Sequence, residues 1–179
     1  MRLIRAAILT LLTARVVPAV TLERLSLDEM AVKATAIVRG RVVASWAAAR
    51  GTLIYTHYAI QVSERWKGSV GSQIEVVVPG GAVGGLRQSF SGVPKLIEGN
   101  EYVLFLWTGS SGLTHILGFT QGVFDVQREA AGGVVAVRAG TSEILLDPAT
   151  GRSLRDQPLR MKVEELSQRV QTALRAASR

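Results

Sequence analysis

The stretch Leu53–Trp66, LIYTHYAIQVSERW, decides the fold of this chain. Its residues alternate, so that Ile54 and Tyr58 point to one side and Gln61 and Arg65 to the other. This period of two indicates a β-strand with one buried face, on which Trp66 is expected in the core. Fully extended, the stretch would reach ~46 Å. We expect it to coil around a barrel, because a flat sheet of that length does not fit a domain of this size.

The preceding run, Ala36–Trp46 or AIVRGRVVASW, has the same period and contains a glycine. Alternation places Val38, Val42 and Trp46 on one face. Gly40 lies in mid-strand, where a glycine often marks a bulge or a sharp bend. The sequence therefore predicts a bent strand that pairs with the longer one.

Further strand-like runs follow, and together they predict the fold class. Glu101–Trp107 is apolar on both faces, which is typical of a central strand. Leu113–Leu117 is expected to form a hairpin with it, and Val123–Arg128 is expected to form a second hairpin with Val134–Arg138. The remaining runs are Gln73–Val78, Leu113–Leu117, Val123–Arg128 and Val134–Arg138. The prediction is a mainly β fold: an OB-like five-stranded barrel with an extra hairpin, a short N-terminal helix and an amphipathic C-terminal helix.

Helix signals lie at the two ends of this β region. Ser26 and Glu29 match a capping box, which predicts a short helix to about Ala34. After Pro158 the apolar residues recur at threes and fours, which indicates an amphipathic helix over about 159–177. That helix either docks onto the barrel or binds a membrane surface or a partner.

The first residues are typical of an export signal. Residues 1–19 give a basic start, an apolar run and a small-residue cleavage site after Ala19. An uncleaved apolar helix is the alternative. We expect a secreted or periplasmic protein with one domain over residues 20–179.

Composition limits the possible chemistry. The chain has no cysteine, which excludes disulfides and thiol chemistry. The predicted signal holds three arginines and no acids, so its removal lowers the net charge from +7 to +4. This modest charge does not indicate a nucleic-acid-binding protein. No transmembrane segment is expected after cleavage.

Four segments carry a resemblance. AIVRGRVVASW, IYTHYAIQVSERWKG, IEVVVPGGAVGG and GNEYVLFLW resemble a group of exported bacterial proteins of uncharacterised function, over roughly residues 21–126. More distantly, they are similar to the netrin or tissue-inhibitor type of OB barrel. The inhibitors of that family use a cysteine that this chain lacks, so the resemblance implies the barrel and no inhibitory residue.

The segment Pro79–Gly92, PGGAVGGLRQSFSG, is the main candidate for a binding loop. It lacks the lysine and hydroxyl residue of a phosphate loop, so no nucleotide is expected. Its glycines either serve a plain connection or expose backbone N–H groups to a partner. In the second case the candidate binding residues are Gly80, Gly81, Gly84, Gly85, Arg87 and Gln88.

Two residues of the long strand complete the candidate site. Tyr55 and His57 lie on its polar face, beside the glycine segment. His57 and His115 have no metal-ligand neighbours at suitable spacing, so neither a metal nor a cofactor is predicted. No nucleophile–base pair can be recognised, so no catalytic residue is predicted.

The outer faces of the first two long strands carry four basic residues. Arg39, Arg41, Arg65 and Lys67 could form a stripe for polyanions, or could simply keep the protein soluble. OB barrels often bind oligonucleotides or oligosaccharides on this side. An exported protein meets glycans more readily than nucleic acids.

These observations predict an exported, non-enzymatic binding module. It would engage a protein or glycan partner through the glycine-rich loop and the adjoining barrel face. Two alternatives stay open: a hydrolase whose site is assembled from scattered residues, and a structural protein of the cell envelope.

Overall fold

The computed structural model describes residues 21–130, 132–141 and 143–179, so the predicted signal peptide lies outside the described residues. The helices are α1, Leu27–Lys33, and α2, Val163–Ala177. The strands are β1 Thr21–Glu23, β2 Ala36–Arg50, β3 Leu53–Lys67, β4 Gln73–Pro79, β5 Gly81–Val83, β6 Leu86–Gln88, β7 Glu101–Thr108, β8 Thr114–Ile116, β9 Val123–Arg128, β10 Val134–Arg138, β11 Ile144–Leu146, β12 Ser153–Leu154 and β13 Leu159–Lys162. No helix in these ranges is long and apolar enough to cross a bilayer.

Eight strands form one large sheet, which confirms the prediction of a mainly β fold. Its order is β13-β10-β9-β7-β2-β3-β4-β8, and β8 also pairs with β7. The predicted hairpins β7–β8 and β9–β10 are both present. A second, small sheet joins β1, β11 and β12.

The pairing of β2 with β3 shows how the long strands bend. Each strand has 15 residues. Their register shifts three times, between Ile37 and Val38, between Arg39 and Gly40, and between Val42 and Ala44. Such shifts are β-bulges, which bend a strand and increase its twist. The irregularity predicted at Gly40 is therefore confirmed.

Two apolar clusters cover the two sides of β7. Leu104 and Leu106 point into a cluster formed mainly by strand residues, among them Val42, Ile60 and Val76, which we call the strand cluster. The alternate residues of β7, Val103 and Phe105, point into a second cluster beneath the helices, which we call the helix-side cluster. Its other members include Met30, Ile37, Trp66, Phe124, Leu166 and Val170. The prediction that Glu101–Trp107 is a central strand covered on each side is confirmed, and Trp66 lies in the core as expected.

Helix α1 begins where the sequence pattern predicts. The Ser26 hydroxyl accepts a hydrogen bond from the Glu29 N–H (3.2 Å), and the Glu29 carboxylate accepts one from the Ser26 N–H (2.8 Å). These two bonds form the capping box. The pKa of Glu29 is lowered by the bond from the Ser26 N–H and by a further bond from the Ser26 hydroxyl to the same carboxylate (2.7 Å). At the other end, the Lys67 ammonium donates to the carbonyls of Ala31 and Val32, which ties α1 to the end of β3.

Helix α2 starts later than the expected residue 159. Leu159–Lys162 forms β13, which pairs with β10. Leu159 and Met161 alternate with the exposed Arg160 and Lys162. That alternation fits a strand, and the open edge of β10 supplies its hydrogen bonds. The helix then buries Val163, Leu166, Val170 and Ala173 in the helix-side cluster, so the docked interpretation is confirmed.

The glycine segment is a hairpin rather than an open loop, which corrects the expectation. Strands β5 and β6 pair antiparallel, from Gly81 opposite Gln88 to Val83 opposite Leu86. Gly84 and Gly85 form the two-residue turn with φ of 57° and 80°. Two consecutive left-handed residues suit glycine, and this turn matches the twist of paired strands.

Candidate functional site

The glycine hairpin is fixed to the start of β3 by its first residues. The Gly80 N–H donates to the Ile54 carbonyl (2.7 Å), and the Gly80 carbonyl accepts from the Thr56 hydroxyl (2.8 Å). At Gly81 an added Cβ would lie 3.0 Å from Ile54 and from Thr56, and 3.1 Å from Ala47. Gly81 therefore permits close approach to β2 and β3, and both glycines position the hairpin.

Gln88 also has a positioning role. Its Oε1 accepts from the Ile54 N–H (2.7 Å), and its Nε2 donates to the Thr52 carbonyl (2.8 Å). These bonds use both ends of the side-chain amide. Gln88 thus fastens β6 to the β2–β3 turn. The role predicted for Gln88, a polar contact for a partner, is replaced by this structural role.

Beside the hairpin lies a cleft of about 360 Å³, which we call the hairpin cleft. Its walls are the hairpin, the ends of β3 and β4, and the segment that follows the hairpin. Arg87 and Lys95 supply two positive charges, and no described carboxylate residue lines the cleft. The Tyr58 hydroxyl accepts a hydrogen bond from the Leu96 N–H (3.3 Å), and burial raises the pKa of Tyr58. The cleft is therefore suited to an acidic group.

The tip of the hairpin projects away from the body of the protein. No heavy atom of the described residues, chain neighbours aside, lies within 4 Å of a Cβ built at Gly84 or Gly85. The adjoining Leu86 is 72% exposed, and Phe90 on the cleft wall is 44% exposed. The tip glycines shape the turn, and Leu86 adjoins it, whereas Phe90 lies beside Gly80 at the base of the hairpin.

Tyr55 and His57 lie on the other side of β3. Their neighbours Thr56 and Tyr58 line the hairpin cleft, and successive side chains of a strand point to opposite faces. The sequence-predicted residues are thus divided between two surfaces. The surfaces approach each other at Pro79, which lines the cleft and pairs with Tyr55.

The second surface carries a row of aromatic side chains across five strands. Trp46 pairs with His57, His57 with Val77, Val77 with His115, and His115 with Trp107. Trp46 and His57 stack with ring centroids 5.2 Å apart and an interplanar angle of 14°. At the other end, Trp107 and His115 are 6.3 Å apart at 30°. We call these four aromatic residues, with Tyr55, the aromatic row.

The middle of the aromatic row covers Val77. This residue points away from the strand cluster that contains Val76 and Val78, and it is only 1% exposed. Tyr55 lies 6.2 Å from His115 over the same region. Burial lowers the pKa of His115, so its ring is neutral at pH 7. The aromatic side chains of the row therefore pack on the buried side chain of Val77.

The two tryptophans at the ends of the row remain open to solvent. Trp46 is 43% exposed and Trp107 is 46% exposed. The Glu75 carboxylate lies 2.8 Å from His57 Nδ1 and fixes that ring beneath Trp46. Large aromatic side chains held rigidly and left exposed are characteristic of binding surfaces.

Sequence analysis missed three members of the row: Trp46, Trp107 and His115. Strict alternation placed Trp46 with Val42 on the buried face, which was wrong. The bulge between Val42 and Ala44 shifts the register by one residue and turns Trp46 outward. A shared feature of the two tryptophans is that each pairs with a histidine of the following strand in a hairpin, Trp46 with His57 and Trp107 with His115.

The four residues of the proposed basic stripe make contacts with other parts of the fold. Arg39 forms salt bridges with Glu64 (2.6 Å) and Glu101 (2.9 Å). Arg65 donates to the Val70 carbonyl, Arg41 to that of Gly99, and Lys67 caps α1. These contacts give all four side chains a structural role, and within the described part of the chain only the charge of Arg39 is paired with carboxylates.

The described residues contain no group of three or more His, Cys, Asp or Glu side chains that could hold a metal ion. Comparisons with protein-family models, with curated proteins and with solved structures find no match for this chain. The case for a function therefore depends on the geometry of the two surfaces.

Arg87 provides a direct test of the hairpin cleft. We expect Arg87→Ala to change the free energy of unfolding by no more than about 0.5 kcal/mol, because the side chain is exposed. Affinity for a sulfated hexasaccharide should fall about tenfold through loss of a charge-assisted hydrogen bond. Isothermal titration calorimetry would measure the affinity of the unmodified protein and of Arg87→Ala. Arg128→Ala, which changes another exposed arginine, is the control. Equal affinities for the two variants would contradict a role for the cleft.

Proposed function

We propose that this protein is an exported, non-enzymatic binding module that holds an acidic glycan on the aromatic row and in the hairpin cleft. The observation that carries the proposal is the row itself, with Trp46 and Trp107 exposed at its two ends. The C–H groups on one face of a sugar ring carry partial positive charge, and they pack on the negative face of an indole. A row of such rings suits a chain of sugars.

The charges of the hairpin cleft support an acidic glycan over a neutral one. Arg87 and Lys95 line the cleft, and Pro79 connects it to Tyr55 in the middle of the row. A carboxylate or sulfate group on the glycan would meet these cations while its sugar rings lie on the row. Arginine and lysine bind such groups through charge-assisted hydrogen bonds.

An OB-like barrel is the architecture that we infer beneath the row. The strand pairings run from β7 through β2, β3 and β4 to β8, and the β8–β7 pairing returns to the start. This circuit of five strands supports a barrel, and the row crosses all five on the outside. Oligosaccharide binding on a strand face is common in such barrels.

Export is supported by the sequence of residues 1–19. Their charged, apolar and small-residue order is that of a signal peptide. A secreted or periplasmic location would bring the protein into contact with surface glycans.

A protein partner is the second candidate, and one observation favours it. Leu86 at the hairpin tip is 72% exposed, and Phe90 at the hairpin base is 44% exposed. Apolar side chains of this kind act as anchors in protein interfaces. The hydrolase alternative predicts turnover of the bound glycan, and the structural alternative predicts stable co-purification with an envelope assembly.

The proposal is tested by removing the tryptophans of the row. We expect Trp46→Ala and Trp107→Ala each to weaken binding of a sulfated hexasaccharide about tenfold, and the double variant about a hundredfold, since each loss removes one stacking contact. Intrinsic fluorescence and calorimetry would measure the affinity.

Val32→Ala is the matched control, because Val32 is a similarly exposed apolar residue on α1. Its affinity should equal that of the unmodified protein. If the tryptophan variants bind as tightly as this control, or if no acidic glycan binds at all, the proposed function is wrong.

A further inference from the structure

A second cleft, distinct from the two surfaces above, lies where the start of α1 meets β10, β13, α2 and the segment before β13. Its volume is about 460 Å³. Four arginines line it: Arg24, Arg138, Arg155 and Arg169. We call it the arginine cleft. None of these residues belongs to the hairpin cleft or to the aromatic row.

The centre of the arginine cleft is Arg138, a charged side chain that is 92% buried. Its Nη2 donates to Asp156 Oδ1 (2.7 Å) and to the Gln157 carbonyl (3.4 Å). Its Nε is enclosed and has no hydrogen-bond partner among the described residues. Burying a guanidinium with an unpaired N–H is costly unless other groups compensate, so this residue indicates more than packing.

The charges around Arg138 do not balance. Asp156 is the only carboxylate residue among those that line the cleft, and its contact with Arg138 is the only salt bridge that any of the four arginines forms in the described part of the chain. Three positive charges therefore remain without a counter-charge in the cleft. Burial and the nearby Arg24 lower the pKa of Arg138, whereas Asp156 raises it.

Two of the arginines also border adjoining grooves. Arg155 lies beside the groove that contains Glu143, and Arg169 beside the groove that contains Asp28 and Glu165. Arg24 and Arg138 do not line those grooves. Of the four arginines, Arg24 and Arg138 therefore line the arginine cleft alone among these three cavities.

The lining of the cleft also includes apolar residues, namely Leu25, Leu27, Leu154 and Leu159. A cleft lined by both arginines and leucines, of a volume typical for small-molecule sites, suits a ligand that carries both an anionic and an apolar part. A phosphate monoester brings nearly two negative charges and three acceptor oxygens, which matches several guanidinium groups better than a single carboxylate does.

We propose that the arginine cleft binds a phosphate monoester that carries a small apolar group. The phosphate would face Arg24, Arg138 and Arg155, and the apolar group would pack on the leucines. Its charge would offset the three arginine charges that Asp156 does not pair. The same headgroup occurs in soluble metabolites and in anionic lipids, and the experiment below separates these sources.

Calorimetry with the complete protein and phenyl phosphate tests the proposal. We expect a Kd of about 1 mM or tighter, and weaker binding at high salt. Inorganic phosphate should bind more weakly because it lacks the apolar part. Arg24→Gln and Arg155→Gln change exposed residues, so both variants should fold, and each should lose about tenfold in affinity.

Arg152→Gln is the matched control, since Arg152 is an exposed arginine on the same segment outside the cleft. It should bind as the unmodified protein does, and so should Trp46→Ala, which separates this proposal from the glycan proposal. Vesicles containing phosphatidate distinguish a lipid from a soluble ester as the source of the phosphate. Binding of the protein to either the soluble ester or the vesicles supports the site, provided that Arg24→Gln weakens that binding. No binding to either, tighter binding of benzoate, or binding unaffected by both cleft variants would overturn the proposal.

Discussion

Replacing Trp66 by alanine is expected to lower the free energy of unfolding by about 4 kcal/mol. Trp66 is 8% exposed and packs in the helix-side cluster. Truncation removes a large apolar side chain and leaves a cavity between β3 and α2. It also removes the hydrogen bond from the indole Nε1 to the Glu64 carboxylate (2.9 Å). Urea denaturation followed by circular dichroism would measure the change.

The other two tryptophans are natural controls for this experiment. Trp46→Ala and Trp107→Ala remove the same side chain from exposed positions, where mainly the stacking with a histidine is lost. Each should cost less than about 1.5 kcal/mol. A Trp66→Ala protein as stable as these two variants would contradict the placement of Trp66 in the core.

Adding one methyl group at Gly40 is expected to cost about 3 kcal/mol. A Cβ at this position would lie 2.6 Å from the Gln61 carbonyl oxygen and 2.7 Å from Ile60 Cγ2. The first of these atoms belongs to the backbone of β3, which cannot move without disturbing the paired strands. This clash outweighs the gain of up to about 1 kcal/mol that a glycine-to-alanine change gives in an unstrained site.

Gly71→Ala is the matched control for Gly40→Ala. Its added Cβ would lie 3.5 Å from the nearest heavy atom outside the adjacent residues, which is an ordinary contact. Thermal and urea denaturation of the two variants should therefore differ clearly. Equal stability of both would show that the bulge at Gly40 does not require a glycine.

The long strands could be predicted because their apolar and polar side chains alternate along the sequence. Alternation holds along β3 as far as Val62, and the inward residues Tyr58, Ile60 and Val62 are buried together. Beyond Val62 the register with β2 shifts twice, and Trp66 is buried in the helix-side cluster instead. In β2 the rule fails after Val42. A bulge changes which face each later residue occupies, and it depends on pairing with the neighbouring strand, so the local sequence does not reveal it.

The candidate site was predicted in part. The glycine segment was recognised, yet of its two predicted polar contacts only Arg87 is available for a ligand, because Gln88 is held by the backbone at Ile54 and Thr52. Tyr55 and His57 were recognised without their partners. Those partners come from β2, β7 and β8, which are distant in sequence and meet only through strand register.

The arginine cleft could not be predicted from the chain order. Arg24, Arg138, Arg155 and Arg169 are separated by up to 145 residues, and each has the ordinary surroundings of a surface arginine in the sequence. Only the packing of α1 and α2 beside β10 and β13 brings them together. The burial of Arg138 follows from that packing.

The indole N–H signals of the three tryptophans provide the most direct test of the central claim, which is that the aromatic row is the binding surface. A two-dimensional NMR titration with the sulfated hexasaccharide would follow all three in one experiment. We predict that the signals of Trp46 and Trp107 shift with a shared affinity while that of the buried Trp66 does not. Saturating glycan that leaves both exposed tryptophans unchanged would contradict the account.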